Sequence, residues 1–178
     1  DYVSLTQERW RSNDLRELSL ESFGPPFFVK PVNLGSSVGV SKVSGMGEIN
    51  AALALAFRYG QTVLIERGLE KPRELEVAVL GDYRKPAELL ISLPGEVVPR
   101  HEFYSYEAKY IDPQGADLKI PAPIPLGLAR EAQAMAKLAF TTLQIEGMCR
   151  VDLFLNSRTN ELFFNEVNTI PGFTSISM

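Results

Sequence analysis

The chain is predicted to fold as an α+β protein. Short apolar or alternating runs of strand type recur along it. Two longer stretches carry the period of amphipathic helices, and two alternating segments near the carboxyl end are joined by a turn sequence, as in an antiparallel hairpin. At 178 residues it is long enough for one sizeable core or for two small lobes that share an interface.

Residues 1–22 read as a short strand and then a charged helix, with Ser12-Asn13-Asp14 as an interruption and Trp10 as a packing anchor. Pro25-Pro26 cannot lie inside a helix and marks a boundary. Phe27-Phe28-Val29 is a strand that delivers Lys30-Pro31. Asn33-Leu34-Gly35-Ser36-Ser37-Val38-Gly39 is then a turn-rich loop, and Val40 to Val43 the next strand. Ile49 to Tyr59 is expected to be helical, with Ile49, Leu53, Ala56 and Phe57 on one stripe. Val63 to Glu66 is a buried strand and Glu74 to Leu80 a longer alternating one. From Pro94 to Pro125 there are six prolines and no sustained period. A structureless stretch of about thirty residues is more often a functional lid than a passive connector. Gly127 to Leu143 follows as an amphipathic helix with Leu128, Ala132, Met135, Ala139 and Leu143 on its stripe.

The apolar fraction of 45% and charged fraction of 22% are those of an ordinary soluble domain. A net charge of −4 argues against a nucleic-acid surface, which needs a clustered basic footprint. No apolar run approaches the length that spans a bilayer. The start, Asp1-Tyr2-Val3-Ser4, lacks a leader pattern, and one cysteine allows no internal disulfide, so the cytoplasm is the expected compartment. That cysteine, Cys149, invites a nucleophile reading, but on its strand it points to the apolar face, where a thiol is packing material. His101, between Arg100 and Glu102, reads as a solvated loop residue rather than a general base.

The carboxyl-terminal hairpin is the most specific feature. With residues 157–161 as a five-residue loop, Asp152 falls opposite Glu166, Arg150 opposite Asn168, and Phe154 opposite Phe164. Val151, Leu153, Leu155, Phe163 and Val167 then line the other face. Two carboxylates and an amide oxygen on a rigid surface suit magnesium, which prefers oxygen and takes few protein ligands. A salt bridge explains Arg150 with Asp152 but leaves Glu166 repelled unless a cation is present.

Elsewhere each residue has a plain reading beside the functional one. Lys30 enters a Gly/Ser loop whose N–H groups can face an anion, yet such a loop is also an ordinary hairpin turn, and the P-loop order is absent. Glu66 ends a buried strand, where it either pairs with Arg67 or Arg73 or meets a polar ligand edge such as a purine. Glu74 and Glu76 project from one strand face and read equally as solvated charges. Tyr104, Tyr106, Lys109 and Tyr110 make either an aromatic anchor or a lid that closes with Lys109 on a phosphate. Gly172 and Thr174-Ser175-Ile176-Ser177 offer donors for an oxyanion or a carboxylate.

Taken together, Phe28-Val29-Lys30-Pro31, Gly35-Ser36-Ser37-Val38-Gly39, Leu64-Ile65-Glu66, Tyr106-Glu107-Ala108-Lys109-Tyr110, Arg150-Val151-Asp152 and Asn165 to Thr174 resemble the D-alanine–D-alanine ligases of the ATP-grasp superfamily. The resemblance runs from about residue 25 onward. It implies two α+β lobes with ATP held between their sheets, here residues 1–69 as the central lobe and 70–178 as the carboxyl-terminal lobe, truncated at its end.

By the same resemblance, Lys30 serves the α/β phosphates, with Ser36 and Ser37 in the loop that closes over them. Glu66 and the backbone of Arg67, Gly68 and Leu69 serve adenine, and Glu74 the ribose. Phe103 and Phe154 sandwich the purine. Lys109 reaches the γ-phosphate, and Tyr110 helps to shape the second substrate site. Asp152, Glu166 and Asn168 hold two magnesium ions, for which manganese is a substitute. Arg150 and the Gly172 N–H stabilise the oxyanion, and Ser177 holds the carboxylate of the second D-alanine. The implied partners are ATP and two molecules of D-alanine, the implied assembly a homodimer, and the implied setting peptidoglycan precursor synthesis. The Tyr-Glu-Ala-Lys-Tyr lid favours D-alanine as acceptor over D-lactate. The family's amino-terminal lobe and closing helical segment are not in this sequence, so the chain is expected to be an incomplete catalytic core. Competing readings are another ATP-grasp carboxylate–amine ligase and a Mg-ATP-binding module without catalysis.

Overall fold

Apolar alternation builds two antiparallel sheets, each with a helix packed on one face. The structure is a computed structural model that describes residues 1–12, 24–35, 37–99 and 116–172. The chain divides into two units, Asp1–Leu69 and Glu70–Met178.

In the first unit, β1 (Tyr2–Thr6), β2 (Phe27–Pro31), β3 (Ser41–Val43) and β4 (Thr62–Arg67) lie in the order β1-β4-β2-β3. Every neighbouring pair is antiparallel. The alternating side chains Phe27 and Val29 of β2, and Val63 and Ile65 of β4, are fully buried. They pack with Leu53, Ala56 and Phe57 at helix α2 (Ile49–Ala56). Each of the valine, leucine, isoleucine and phenylalanine side chains stabilises the unit by about 1.5–3 kcal/mol. Helix α2 stops three residues short of the expected Tyr59, because Arg58 and Tyr59 turn back with hydrogen bonds to Leu55 and Ala56 (3.1 and 3.0 Å). A short helix α1 (Gln7–Arg11) starts at Thr6, whose hydroxyl accepts from the Arg9 N–H at 3.3 Å. Trp10 anchors it by stacking on Phe57, centroids 5.1 Å apart.

The second unit holds β5 (Arg73–Asp82), β6 (Leu90–Ile91), β7 (Gly95–Pro99), β8 (Ala116–Lys119), α3 (Leu126–Thr142), β9 (Glu146–Leu155) and β10 (Leu162–Asn168). Its sheet runs β10-β9-β5-β7-β8, with β6 pairing the far end of β5. Strands β5 and β9 pair over their whole length, from Arg73 opposite Leu155 to Asp82 opposite Glu146. Leu75, Val77, Val79, Cys149, Val151, Leu153 and Leu155 point to the helix side and are buried. Cys149 is thus core packing, and burial, with the Asp152 charge as a smaller cause, pushes its thiol pKa up to about 11.

Three further features differ from expectation. The stretch from Pro94 to Pro125 is not structureless: β7 and β8 lie inside it and pair from Glu96 opposite Lys119 to Pro99 opposite Ala116. They were hidden because Glu96, a charge, occupies a buried strand position. The buried stripe of α3 is Ala129, Ala132, Ala136 and Phe140; of the expected stripe Ala132 belongs to it, Leu128, Met135 and Ala139 pack half-buried at its edge, and Leu143 is 56% exposed. Alanines let the helix sit close to the sheet while Phe140 fills the remaining space.

The third concerns the hairpin. Leu155 pairs with Leu162 and Phe154 with Phe163, so the loop is 156–161, one residue longer than expected, and Phe154 faces Phe163 rather than Phe164. The Asn156 side chain holds the loop by accepting from the Arg158 and Thr159 N–H groups (3.0 and 3.4 Å). A bulge between Phe164 and Glu166 then takes up one residue. Beyond it Asp152 faces Glu166 and Arg150 faces Asn168, as expected. Leu162, not Phe163, therefore takes the core position beneath the helix.

Candidate functional site

Each unit presents one polar constellation. In the first, alternation along β2 and β4 turns Phe28, Lys30, Leu64 and Glu66 away from the core. Phe28 pairs with Glu66 and Lys30 with Leu64, so Lys30 and Glu66 are diagonal neighbours. Their charges meet at 2.9 Å, both side chains largely shielded from solvent. Glu66 thus pairs with neither candidate named from sequence: Arg67 reaches Asp1 at 3.6 Å, and Arg73 goes to Glu96. After Glu66 the chain passes closely over Pro26, whose carbonyl accepts from the Gly68 N–H at 2.7 Å. A Cβ at Gly68 would stand 2.7 Å from that same oxygen, so glycine is required there. Leu69 follows, half-buried.

The Gly/Ser loop leaves β2 just past Lys30. Its turns are closed by the Val38 N–H on Gly35 O and the Val40 N–H on Ser37 O, both at 3.3 Å. Ser37 and Gly39 adopt positive φ, 59° and 74°, a conformation that turns backbone N–H groups to one side. Ser36 lies outside the described residues.

The second constellation covers the open face of the larger sheet. Cross-strand register sets it out as three rungs over β5, β9 and β10: Glu74, Phe154 and Phe163; then Glu76, Asp152 and Glu166; then Ala78, Arg150 and Asn168. Paired residues point to the same side of a sheet, so register alone dictates this grid. The Arg150 guanidinium grips Asp152 with two hydrogen bonds, Nε to Oδ1 at 2.7 Å and Nη2 to Oδ2 at 2.8 Å. Asn168 Nδ2 donates to the same Oδ2 at 2.8 Å. The same Nε stands 3.3 Å from Glu76 Oε2. Burial works against the Arg150 charge. The hydrogen bond and charge of Asp152, with the charges of Glu76 and Glu166, outweigh it and raise the guanidinium pKa above its ordinary value.

Glu76 is the residue that sequence reasoning left undecided between a solvated charge and a role at the site; its side chain is only 14% exposed. Its alternation with Leu75 and Val77, on the strand beside the hairpin, was the signal that could have placed it. Glu74, by contrast, shares its rung with the two phenylalanines.

Asp152, Glu166 and Asn168 offer hard oxygen donors from adjacent rungs of two paired strands, a set that fits magnesium. Among the described residues no group of three or more His, Cys, Asp and Glu side chains is placed to hold a metal ion by itself. Any ion here must therefore draw on the amide or on substrate oxygens as well. Gly172 is exposed, beyond the end of β10. The assignments of Phe103, Lys109, Tyr110 and Ser177 fall outside the described residues.

Comparison with known proteins agrees over the whole chain. The family model described as the D-ala D-ala ligase C-terminus matches residues 1–178. A D-alanine–D-alanine ligase of Thermoanaerobacter pseudethanolicus is 48% identical over all of this chain and 48% of its own length. D-alanine–D-alanine ligase A of Bradyrhizobium diazoefficiens is 45% identical over 99% of this chain and 47% of its own. Among solved structures, the VanG D-Ala:D-Ser ligase of Enterococcus faecalis superposes with a TM-score of 0.81 at 32% identity, covering all of this chain and 49% of that one. D-alanyl-alanine synthetase A of Vibrio cholerae gives 0.80 at 36%, covering all of this chain and 52% of that one. The chain thus spans about half the length of the curated relatives it matches. It belongs to the D-alanine–D-alanine ligase carboxyl-terminal family, with the α+β ATP-grasp fold of its structural neighbours.

Proposed function

We propose that this chain carries the nucleotide-binding and charge-stabilising half of an enzyme that joins two D-alanines to D-alanyl-D-alanine at the expense of ATP. The observation that carries the reading is the grid on the second sheet, where Arg150, Asp152, Glu166 and Asn168 stand on adjacent rungs of one face. A module that only binds nucleotide has no use for a guanidinium held there.

The reaction has two steps. The carboxylate of the first D-alanine attacks the γ-phosphorus of ATP, forming D-alanyl phosphate and releasing ADP. The amine of the second D-alanine then attacks the acyl carbon, phosphate leaves, and the amine loses a proton. Lys30 and the loop of Ser36 and Ser37 hold the phosphates. Glu66, the backbone of Arg67 to Leu69 and Glu74 hold the nucleoside, with Phe103 and Phe154 on the purine. Arg150 and the Gly172 N–H face the oxygen that becomes negative when the amine attacks. Lys109 and Tyr110 complete the phosphate and acceptor sites, and Ser177 binds the acceptor carboxylate. Asp152, Glu166 and Asn168 would hold magnesium, which when bound neutralises phosphate charge. The chain's share of catalysis is positioning and electrostatics. The proposed setting is the cytoplasm, on the route to peptidoglycan precursors, and the proposed assembly is a homodimer.

The test is D-alanine-dependent release of ADP and phosphate by the full-length protein, with the dipeptide identified by mass spectrometry. Arg150→Ala is expected to keep ATP binding and abolish that release; unchanged turnover would remove Arg150 from the mechanism. Because a structural neighbour is a D-Ala:D-Ser ligase, D-serine and D-lactate belong in the same assay. Preference for either would replace D-alanine as the acceptor.

A further inference from the structure

The middle rungs of the second sheet hold three carboxylates, Glu76, Asp152 and Glu166, against one guanidinium, Arg150. As the site stands, Arg150 takes both oxygens of Asp152 and still lies 3.3 Å from Glu76. The three side chains are similarly shielded, 18% exposed for Arg150, 15% for Asp152 and 14% for Glu76.

A cation that uses Asp152 meets a conflict. Asp152 Oδ2 already accepts from Arg150 Nη2 and Asn168 Nδ2, and Oδ1 accepts from Arg150 Nε. Three of the about four lone-pair sites of the carboxylate are thus filled, and the guanidinium that chelates both oxygens repels a divalent ion approaching the one left. Arg150 must loosen its grip on Asp152 for the ion to bind. A guanidinium that loses its only anion in a shielded site is costly. Glu76 prevents that loss, and its position is the right one. The register orders the rung Glu76, Asp152, Glu166, so Glu76 lies on the side of Asp152 away from Glu166.

We propose that Glu76 is a positioning residue: it keeps Arg150 in place when Asp152 turns from the guanidinium to a metal ion. The exchange leaves the Arg150 Nη donors available to the oxygen that becomes negative in the reaction. This inference rests on the reading of Asp152, Glu166 and Asn168 as metal ligands.

The test is Mn2+ binding to the full-length protein saturated with ADP, with the ion signal read by electron paramagnetic resonance, in a cycle of Glu76→Gln and Arg150→Gln. Without Glu76, Arg150 clings to Asp152, so E76Q is expected to weaken Mn2+ binding at least about threefold, and R150Q, which removes the competitor, to tighten it by a similar factor. In the R150Q background, E76Q is expected to change affinity by less than about twofold, because Glu76 acts through Arg150. Equal weakening in both backgrounds would overturn the proposal, since Glu76 would then act as a plain charge or a ligand. No effect in either background would overturn it as well. Should E76Q lower the melting temperature, Glu76→Asp keeps an anion and is expected to shift affinity in the same direction by less. If the unaltered protein binds no Mn2+, the metal reading falls and this one with it; if it binds but the cycle is additive, this one falls alone.

Discussion

Arg73 and Glu96 form a bidentate pair across the second sheet, Nε to Oε1 at 2.6 Å and Nη2 to Oε2 at 2.8 Å. Glu96 is 4% exposed. Lys119 approaches it from β8 at 3.8 Å, and Arg73 Nη2 also donates to Pro123 O at 3.2 Å. The carboxylate therefore ties β5, β7 and β8 together, and its partner Arg73 adds the chain leading to α3.

Replacing that carboxylate by Glu96→Gln is expected to cost about 1–3 kcal/mol, since the amide oxygen can accept only one hydrogen bond of the pair and carries no charge to match the Arg73 guanidinium. Its pH dependence has a definite sign. The hydrogen bond from Arg73, partly opposed by burial and aided by the Arg73 and Lys119 charges, holds the Glu96 pKa below its ordinary value of 4.5. Its stabilisation is therefore complete above that value and is lost as pH falls below it towards the folded pKa. Urea melts between pH 3 and 6 should slope more steeply for the unaltered protein than for E96Q.

Phe140 is fully buried where α3 meets the sheet. Phe140→Ala is expected to destabilise the second unit by about 3–5 kcal/mol, because neighbouring alanines cannot fill the space. Thermal melting of the variant reads this directly.

The Cys149 thiol is buried and its pKa is raised to about 11. At pH 8 it is overwhelmingly protonated, and the thiolate is the reactive form. A thiol-titrating disulfide reagent should therefore label the native protein slowly and the urea-unfolded protein fast. Rapid labelling in the native state would contradict its place in the core.

Gly68→Ala would set a methyl 2.7 Å from the Pro26 carbonyl oxygen, a backbone atom that cannot step aside. A loss of about 1–3 kcal/mol is expected. Weaker binding of an ATP analogue should accompany it, because the backbone proposed to face adenine shifts. Calorimetry measures both.

Lys30 is the cation proposed for the ATP phosphates, held ready by Glu66 at 2.9 Å. Lys30→Met should weaken ATP-analogue binding by roughly 10- to 100-fold, the value of a charge-assisted hydrogen bond. Adenosine binding should change much less, and equilibrium titration of the two ligands separates these outcomes.

Period and charge made much of the architecture legible in the sequence. The strand runs at Val29, Ile65, Val77 and Val151, both long helices and the Asp152–Glu166 register could be read because alternation reports which face is buried. The ion pairs were not legible. Glu66 chose Lys30 on a neighbouring strand over two nearer arginines, and Glu76 found Arg150 on the strand beside it. Such partners depend on strand order, which no single segment specifies. Strands β7 and β8 escaped notice because prolines and a buried glutamate masked their alternation. The hairpin register at Asp152 was right although the loop length was wrong: the loop has one residue more than expected, and the bulge at Asn165 removes the difference.

That bulge works as an expansion joint. The unbulged pairing with a five-residue loop and the observed pairing with loop 156–161 differ only between the loop and Asn165; from Asp152 and Glu166 onward they coincide. A shift of one residue at the exposed tip can thus be absorbed before it reaches the carboxylates. Insertions and deletions in the hairpin tip of related chains should be common, while the spacing from Glu166 to Asn168 stays constant. The architecture separates the part of the hairpin where evolution can tinker from the part where it cannot.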